Sequence, residues 1–168
     1  MARIAVVTDS AADLPTDLRE QLGITVVPLN VHFGSEVYRD QIDLTTDQFM
    51  ARLRQADELP RTSEPSVEQF TRTFRELADD HDAIVAVLIS SKLGGTIQSA
   101  TQAKREVGDL VPIEIVDSEH VSLTLGFQAV RAAELAAAGV DAAEIARRLR
   151  AETTAYQLVF FVDTLDYL

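Results

Sequence analysis

The chain has 168 residues, of which 46% are hydrophobic and 25% charged, and it contains no cysteine. These proportions belong to an ordinary soluble globular domain and exclude collagen-like, fibrous and disordered chains; the missing thiols exclude disulfides, Cys-ligated zinc, iron–sulfur clusters and thiol catalysis. Fifteen basic residues against twenty-seven acidic ones leave a net charge of −12, the wrong sign for a protein that grips nucleic acid or an anionic membrane through phosphates.

The length fits one domain of about 100–200 residues with a self-supporting core. Only Lys92 and Lys104 are lysines, so any basic patch must be built of arginine. The apolar stretch near the N-terminus is broken by Thr8 and Asp9, which argues against a secretory signal. The longest apolar run, Ala83 to Ile89, has seven residues, against about 20 for a membrane-spanning helix. A soluble, cytoplasmic protein that is not integral to a membrane is expected.

Arg3 to Thr8 is a short, almost wholly apolar run ending in Asp9-Ser10, which suits a buried parallel strand. Thr16 to Leu22 has helical composition, with Pro15 ahead of it and Gly23 placed as a C-terminal cap. Ile24 to Phe33 is β-branched but contains Pro28, which predicts an edge position or a bend there. Gly34-Ser35 reads as a turn into an extended piece, Glu36 to Arg39.

Thr45-Thr-Asp-Gln48 is a capping box opening a helix whose apolar stripe is Phe49, Leu53 and Ala56. Two prolines and polar neighbours mark Asp57 to Pro65 as a loop. Ser66-Val-Glu-Gln69 is a second capping box, starting a helix to Ala78 with Val67, Phe70, Phe74 and Leu77 inward. Ala83 to Ile89 is the strongest buried strand; it empties into Ser90-Ser-Lys-Leu-Gly-Gly95, followed by a helix from Thr96 to Val107 that Gly108 ends.

Ile113 to Val116 is another strand, ending at Asp117-Ser118. An Ala-rich helix from Leu123 to Ala138 stops at Gly139, and Asp141 caps a further helix to Arg150. Leu158 to Val162 reads as the last strand, and Asp163 to Leu168 as the start of another helix. The alternation predicts an α/β domain, a mostly parallel sheet with helices on both faces. A chain stopping just after a buried-type strand is expected to be the first part of a longer protein.

In open parallel sheets ligands bind beyond the carboxyl ends of the strands. Three such ends carry hydroxyls or carboxylates: Thr8-Asp9-Ser10, Ser90-Ser91 and Asp117-Ser118. The segment Arg61-Thr62-Ser63-Glu64-Pro65-Ser66 adds three hydroxyls just before a helix. Hydroxyls together with free amides at helix N-termini, preceded by Gly94-Gly95, suit an anionic head group such as a carboxylate or phosphate. Taken singly, each segment reads first as a cap or turn; the coincidence of four favours the binding site.

Catalytic and metal motifs are missing. There is no G-x-x-x-x-G-K-[ST], no G-x-G-x-x-G and no G-x-S-x-G. His32, His81 and His120 form no i, i+4 pair; His81 lies in an acidic surface turn, and His120 alone sits where it would face a ligand crevice. Asp9 sits where some phosphatases carry a nucleophile, but the next acid, Asp13, lies too far on for that chemistry, so an Asp capping the following turn is the better reading. Arg147, Arg148 and Arg150 near a helix end read as a solvated face that complements the helix dipole.

In order, Val7-Thr8-Asp9-Ser10-Ala-Ala-Asp13-Leu14, Thr62-Ser63-Glu64-Pro65-Ser66, Ile89-Ser90-Ser91-Lys-Leu-Gly94-Gly95-Thr96-Ile-Gln-Ser99-Ala100 and Val116-Asp117-Ser118 resemble the DegV family of bacterial fatty-acid-binding proteins. Phe161 to Leu168 resembles that family's passage into its second domain. The resemblance implies that residues 1–168 are the family's α/β N-terminal domain, with the C-terminal domain absent from this chain. It implies a carrier with no catalytic residue, cofactor or metal, which buries one long-chain fatty acid in a tunnel between two domains. The carrier would present the carboxylate to an ATP-dependent fatty-acid kinase, forming an acyl phosphate for phospholipid synthesis.

The same resemblance makes Thr62 the foremost ligand residue, with Ser63, Ser91, Gly94, Gly95 and Thr96 beside it and Asp9, Ser10 and Ser118 at the other strand ends. A family serine is replaced here by Gly94, so the amides of Gly94 and Gly95, or Ser91, must compensate. Two rival readings stay open: a small α/β enzyme of phosphoryl transfer or hydrolysis using Asp9 and Ser10, and a ligand-free regulatory module.

Overall fold

The computed structural model describes residues 2–162. The expected helix from Asp163 lies outside the described residues.

Four strands, β1 (Ile4–Asp9), β2 (Ile24–Val27), β6 (Ala83–Leu88) and β7 (Ile113–Asp117), form a parallel sheet in the order β2-β1-β6-β7. All six residues of β6 are buried, and side chains alternate between two apolar layers because strand periodicity is two. Val85 and Val87 point with Val6 and Val116 into one layer, covered by helices α5 (Leu123–Ala137) and α6 (Ala142–Glu152). Ile84, Ala86 and Leu88 point into the other, covered by α3 (Val67–Ala78) and α4 (Thr96–Val107). The expected mostly parallel sheet with helices on both faces is therefore present.

Capping chemistry sets the helix starts. α2 (Thr46–Leu53) and α3 each begin with a complete capping box, Thr45 with Gln48 and Ser66 with Gln69. Asp141 caps α6 by accepting the Glu144 amide at 2.9 Å. α5 approaches the sheet closely because small residues face it. A Cβ on Gly126 would stand 2.6 Å from the carbonyl oxygen of Ala12, in the 3-10 turn Ser10–Ala12 that follows β1.

The run from Ile24 to Phe33 breaks at Pro28, as its sequence predicts. β2 ends at Val27 on the sheet edge, and β3 (Asn30–Phe33) leaves for a second sheet. Ser10 Oγ accepts the Leu29 amide at 3.0 Å and pins that bend. This second sheet is antiparallel, in the order β4-β3-β5, with β4 (Glu36–Arg39) and β5 (Arg61–Ser63) on either side of β3. Arg52 of α2 lies over Phe33 at 5.2 Å and Tyr38 at 4.8 Å and pairs with Glu36 at 2.8 Å, fastening the helix to this sheet.

Two expectations need correction. Asp57 to Pro65 is not all loop, since Arg61–Ser63 pairs antiparallel with β3; three polar residues carry no strand signal of their own, and the partner strand supplies the ladder. Leu158 to Val162 forms no strand. It lies outside both sheets, with Phe161 94% exposed. Its apolar composition reports a surface wanting cover, which a sequence does not distinguish from a sheet strand. Among the described residues no helix is long and apolar enough to cross a membrane.

Candidate functional site

The carboxyl ends of β1, β6 and β7 meet at one edge of the parallel sheet, bound by polar crosslinks. Asp9, with no exposed surface, accepts the Ala11 amide at 3.0 Å and the Ile89 amide at 2.7 Å, joining the ends of β1 and β6. Burial pushes its carboxyl up from 3.8 to about 6, against the pull of these two N–H groups, and the nearby Asp13 adds to the rise. The end of β6 is joined to that of β7 in turn. The Ser90 amide donates to the His120 carbonyl at 2.9 Å, and the Ser91 amide to the Asp117 carboxylate at 3.2 Å.

Several expected ligand residues are consumed by these crosslinks. Ser10 accepts from Leu29, and Ser118, with no exposed surface, closes a small ring with the backbone of His120 at 3.1 Å in each direction. Asp9, Ser10 and Ser118 thus shape the strand ends from inside. Asp9 also caps the following turn, as its sequence context predicts. His120 is half-buried, its Nε2 at 3.1 Å from the Thr153 carbonyl oxygen and its ring edge-on to Tyr156.

The other expected residues lie around the N-terminus of α4. Gly95 occupies the cap position with no side-chain acceptor, leaving first-turn amides open. Thr96 is buried, whereas Gly94 and Ser91 are exposed. Thr62 on β5 is exposed and its hydroxyl has no hydrogen bond among the described residues, while Ser63, one residue on, faces away and meets His32 Nε2 at 3.0 Å. The two segments touch through a residue sequence reasoning missed. Glu64 sets its Oε1 2.7 Å from where a Cβ on Gly95 would be, and its carbonyl accepts from Asn30 at 3.3 Å.

Beside this polar cluster lies a hollow of about 510 Å³, lined by Ser90, Leu93, His120, Val121, Tyr156 and Leu158 among others. Its walls are mainly apolar, and the Ser90–Gly95 loop borders both hollow and cluster. Among the described residues no group of three or more His, Asp or Glu side chains is arranged to hold a metal ion. The arrangement offers hydroxyls and amides to an anion, with room for an apolar chain alongside.

A family model described as "Uncharacterised protein, DegV family" matches residues 3–168. The chain belongs to the DegV family. It is 37% identical to protein DegV of Bacillus subtilis over 166 residues, which are 98% of this chain and 59% of that protein. It is 35% identical over 168 residues to a DegV domain-containing protein of Caldanaerobacter subterraneus, again 59% of the relative. The chain thus spans about six-tenths of these relatives' length. Among solved structures it resembles the fatty-acid-binding DegV of Bacillus subtilis, with TM-score 0.85 and 36% identity over 92% of this chain and 55% of that one. A fatty-acid-binding DegV family protein from Thermus thermophilus gives TM-score 0.82 and 38% identity, over 90% of this chain and 54% of that one.

Proposed function

We propose that this DegV domain is the head-group-holding part of a fatty-acid carrier. It takes the carboxylate of one long-chain fatty acid between Thr62 and the Ser91–Thr96 segment. The observation that carries this reading is that the segment bearing the exposed Thr62 hydroxyl meets, through Glu64 and Gly95, the open amides of α4, whose leading loop borders an apolar hollow. The fatty-acid-binding relatives above 30% identity support it.

The physical logic is a division of labour. Each methylene taken out of water contributes about 0.8 kcal/mol, so the tail provides the affinity. The hydroxyl and amides give the head group its place, which matters in a chain of net charge −12 that repels free anions. In this reading a second domain closes the tunnel over Leu158 to Val162 and the bound carboxylate is passed to an ATP-dependent fatty-acid kinase, which makes the acyl phosphate. The enzyme alternative finds little support in the geometry. Asp9 and Ser10 are buried and their oxygens already accept backbone amides, so neither meets a substrate as a nucleophile.

Native mass spectrometry of the full-length protein purified from bacteria tests the reading. A co-purifying mass equal to one fatty acid is expected, and hydroxylamine trapping with the kinase and ATP should yield the acyl hydroxamate. A protein that stays empty when offered palmitate overturns it.

A further inference from the structure

Asp9 is a buried ionisable group that the proposed carrier function does not use. Its two carboxylate oxygens serve two different segments: Oδ1 takes the Ala11 amide, in the turn after β1, and Oδ2 the Ile89 amide, directly before Ser90. The charged groups around it are all acidic. Asp13 acts on it from the end of the turn, and acts likewise on Asp40, after β4, whose carboxyl burial pushes up against a hydrogen bond with Ser10. β2 presents Val27 beside it, α5 meets the turn with Gly126, and Lys92, in the loop that follows β6, is directed at Glu119 at 3.9 Å. No cation among the described residues therefore holds this carboxylate in its charged form.

An ionised carboxylate accepts both N–H groups, but a carboxylic acid keeps one good acceptor oxygen and gains a hydroxyl that must donate. Protonation thus leaves one of the two amides without its partner. We propose that Asp9 is a positioning residue for the head-group loop: ionised, it ties the ends of β1 and β6 so that Ser90–Gly95 is set for an anion, and protonated, it lets that loop go. Burial raises the carboxyl from 3.8 to about 6, so the change is sought around that pH. The ligand half of this inference rests on the fatty-acid reading; the switch itself does not.

The test uses the full-length protein and two readouts between pH 5 and 7.5. The first is hydrogen exchange of the Ile89–Gly95 amides without ligand, corrected for intrinsic rates; the second is affinity for palmitate. In the wild type, protection should fall below about pH 6. If only the ionised form binds, affinity should weaken about tenfold from pH 7.5 to pH 5. Asp9→Asn should bind weakly with a flattened profile. Asp13→Asn, which removes the neighbouring negative charge, should fold normally and move the midpoint of both readouts to lower pH. Palmitate ionises alike in every variant, so a pH profile that Asp9→Asn flattens belongs to Asp9. A wild-type exchange profile that stays flat from pH 5 to 7.5, or one that Asp9→Asn leaves unchanged, overturns the switch, whether or not palmitate binds. Loop protection that follows the predicted midpoints while palmitate binds at no pH keeps the switch and removes the fatty-acid reading.

Discussion

The Glu64 carboxylate stands against Gly95, its Oε1 2.7 Å from where a Cβ on that glycine would be. A carboxylate of the protein therefore already waits at the opening of α4, where the helix dipole favours negative charge. If the site takes a fatty acid as proposed, the incoming carboxylate would meet a like charge there and Glu64 would have to swing aside. Glu64→Gln should tighten palmitate binding at neutral pH by about two- to fivefold, the scale of one charge at a helix end. Titration calorimetry on the two proteins reads this; equal or weaker binding by the variant removes Glu64 from the head-group site.

Thr62 is exposed and its hydroxyl makes no hydrogen bond among the described residues, so removing it costs the fold nothing identifiable. Thr62→Ala should weaken palmitate binding about tenfold, as expected for one hydrogen bond of about 1.5 kcal/mol to a charged group, with an unchanged melting temperature. Ser63→Ala makes the contrast. It removes the partner of His32 and should lower stability slightly while leaving affinity intact.

Gly126 lies where α5 crosses the turn after β1, and an added Cβ would meet the backbone oxygen of Ala12 at 2.6 Å. Backbone cannot swing aside as a side chain does. Gly126→Ala should cost about 1–3 kcal/mol through overpacking, read as a lower urea midpoint.

The acid side of the stability profile has two opposing parts. Asp9 has its folded value raised from 3.8 to about 6, so the folded state holds the proton more tightly than the unfolded one. Its contribution therefore makes the protein more stable as pH falls from above 6 toward 4, by about 3 kcal/mol, the free energy that corresponds to a rise of this size. Asp43 and Glu144 act the other way. Their arginine partners, Arg39 for Asp43 and Arg147 with Arg148 for Glu144, hold both at about 2, and that stability is lost as pH falls from about 4 toward 2. Urea midpoints across pH should rise from pH 7 to about 5 and fall below about 3. Asp9→Asn should lose the rise and keep the fall.

The parallel layer was open to reading from sequence because its signals are local. Apolar runs of strand length end in Asp or Ser, Thr45 and Ser66 announce their helices through Gln48 and Gln69, and Gly108 and Gly139 stop theirs at positive φ. β5 was hidden because Arg61–Ser63 owes its strand to β3, some thirty residues earlier. Leu158 to Val162 misled because apolar character says that a segment needs cover without saying whether a ladder provides it. In the site, the motif resemblance assembles Thr62 with the Gly94–Gly95 loop. Only three dimensions reveal Glu64 between them, Asp117 taking the Ser91 amide, and Ser118 turned inward.

The burial of all six β6 residues, flanked by a strand on each side and a helical layer on each face, fixes how the site spends entropy. Its amides should be among the last in the molecule to exchange with solvent, since they open only when the sheet itself does. The Ser90–Gly95 loop follows directly from the end of this strand, so the disorder that a head group bound as proposed would remove is confined to a few residues on a rigid mount. Recognition by such a loop loses little conformational freedom, because its Ser90 and Ser91 amides are already tied to the end of β7 and its far end opens α4.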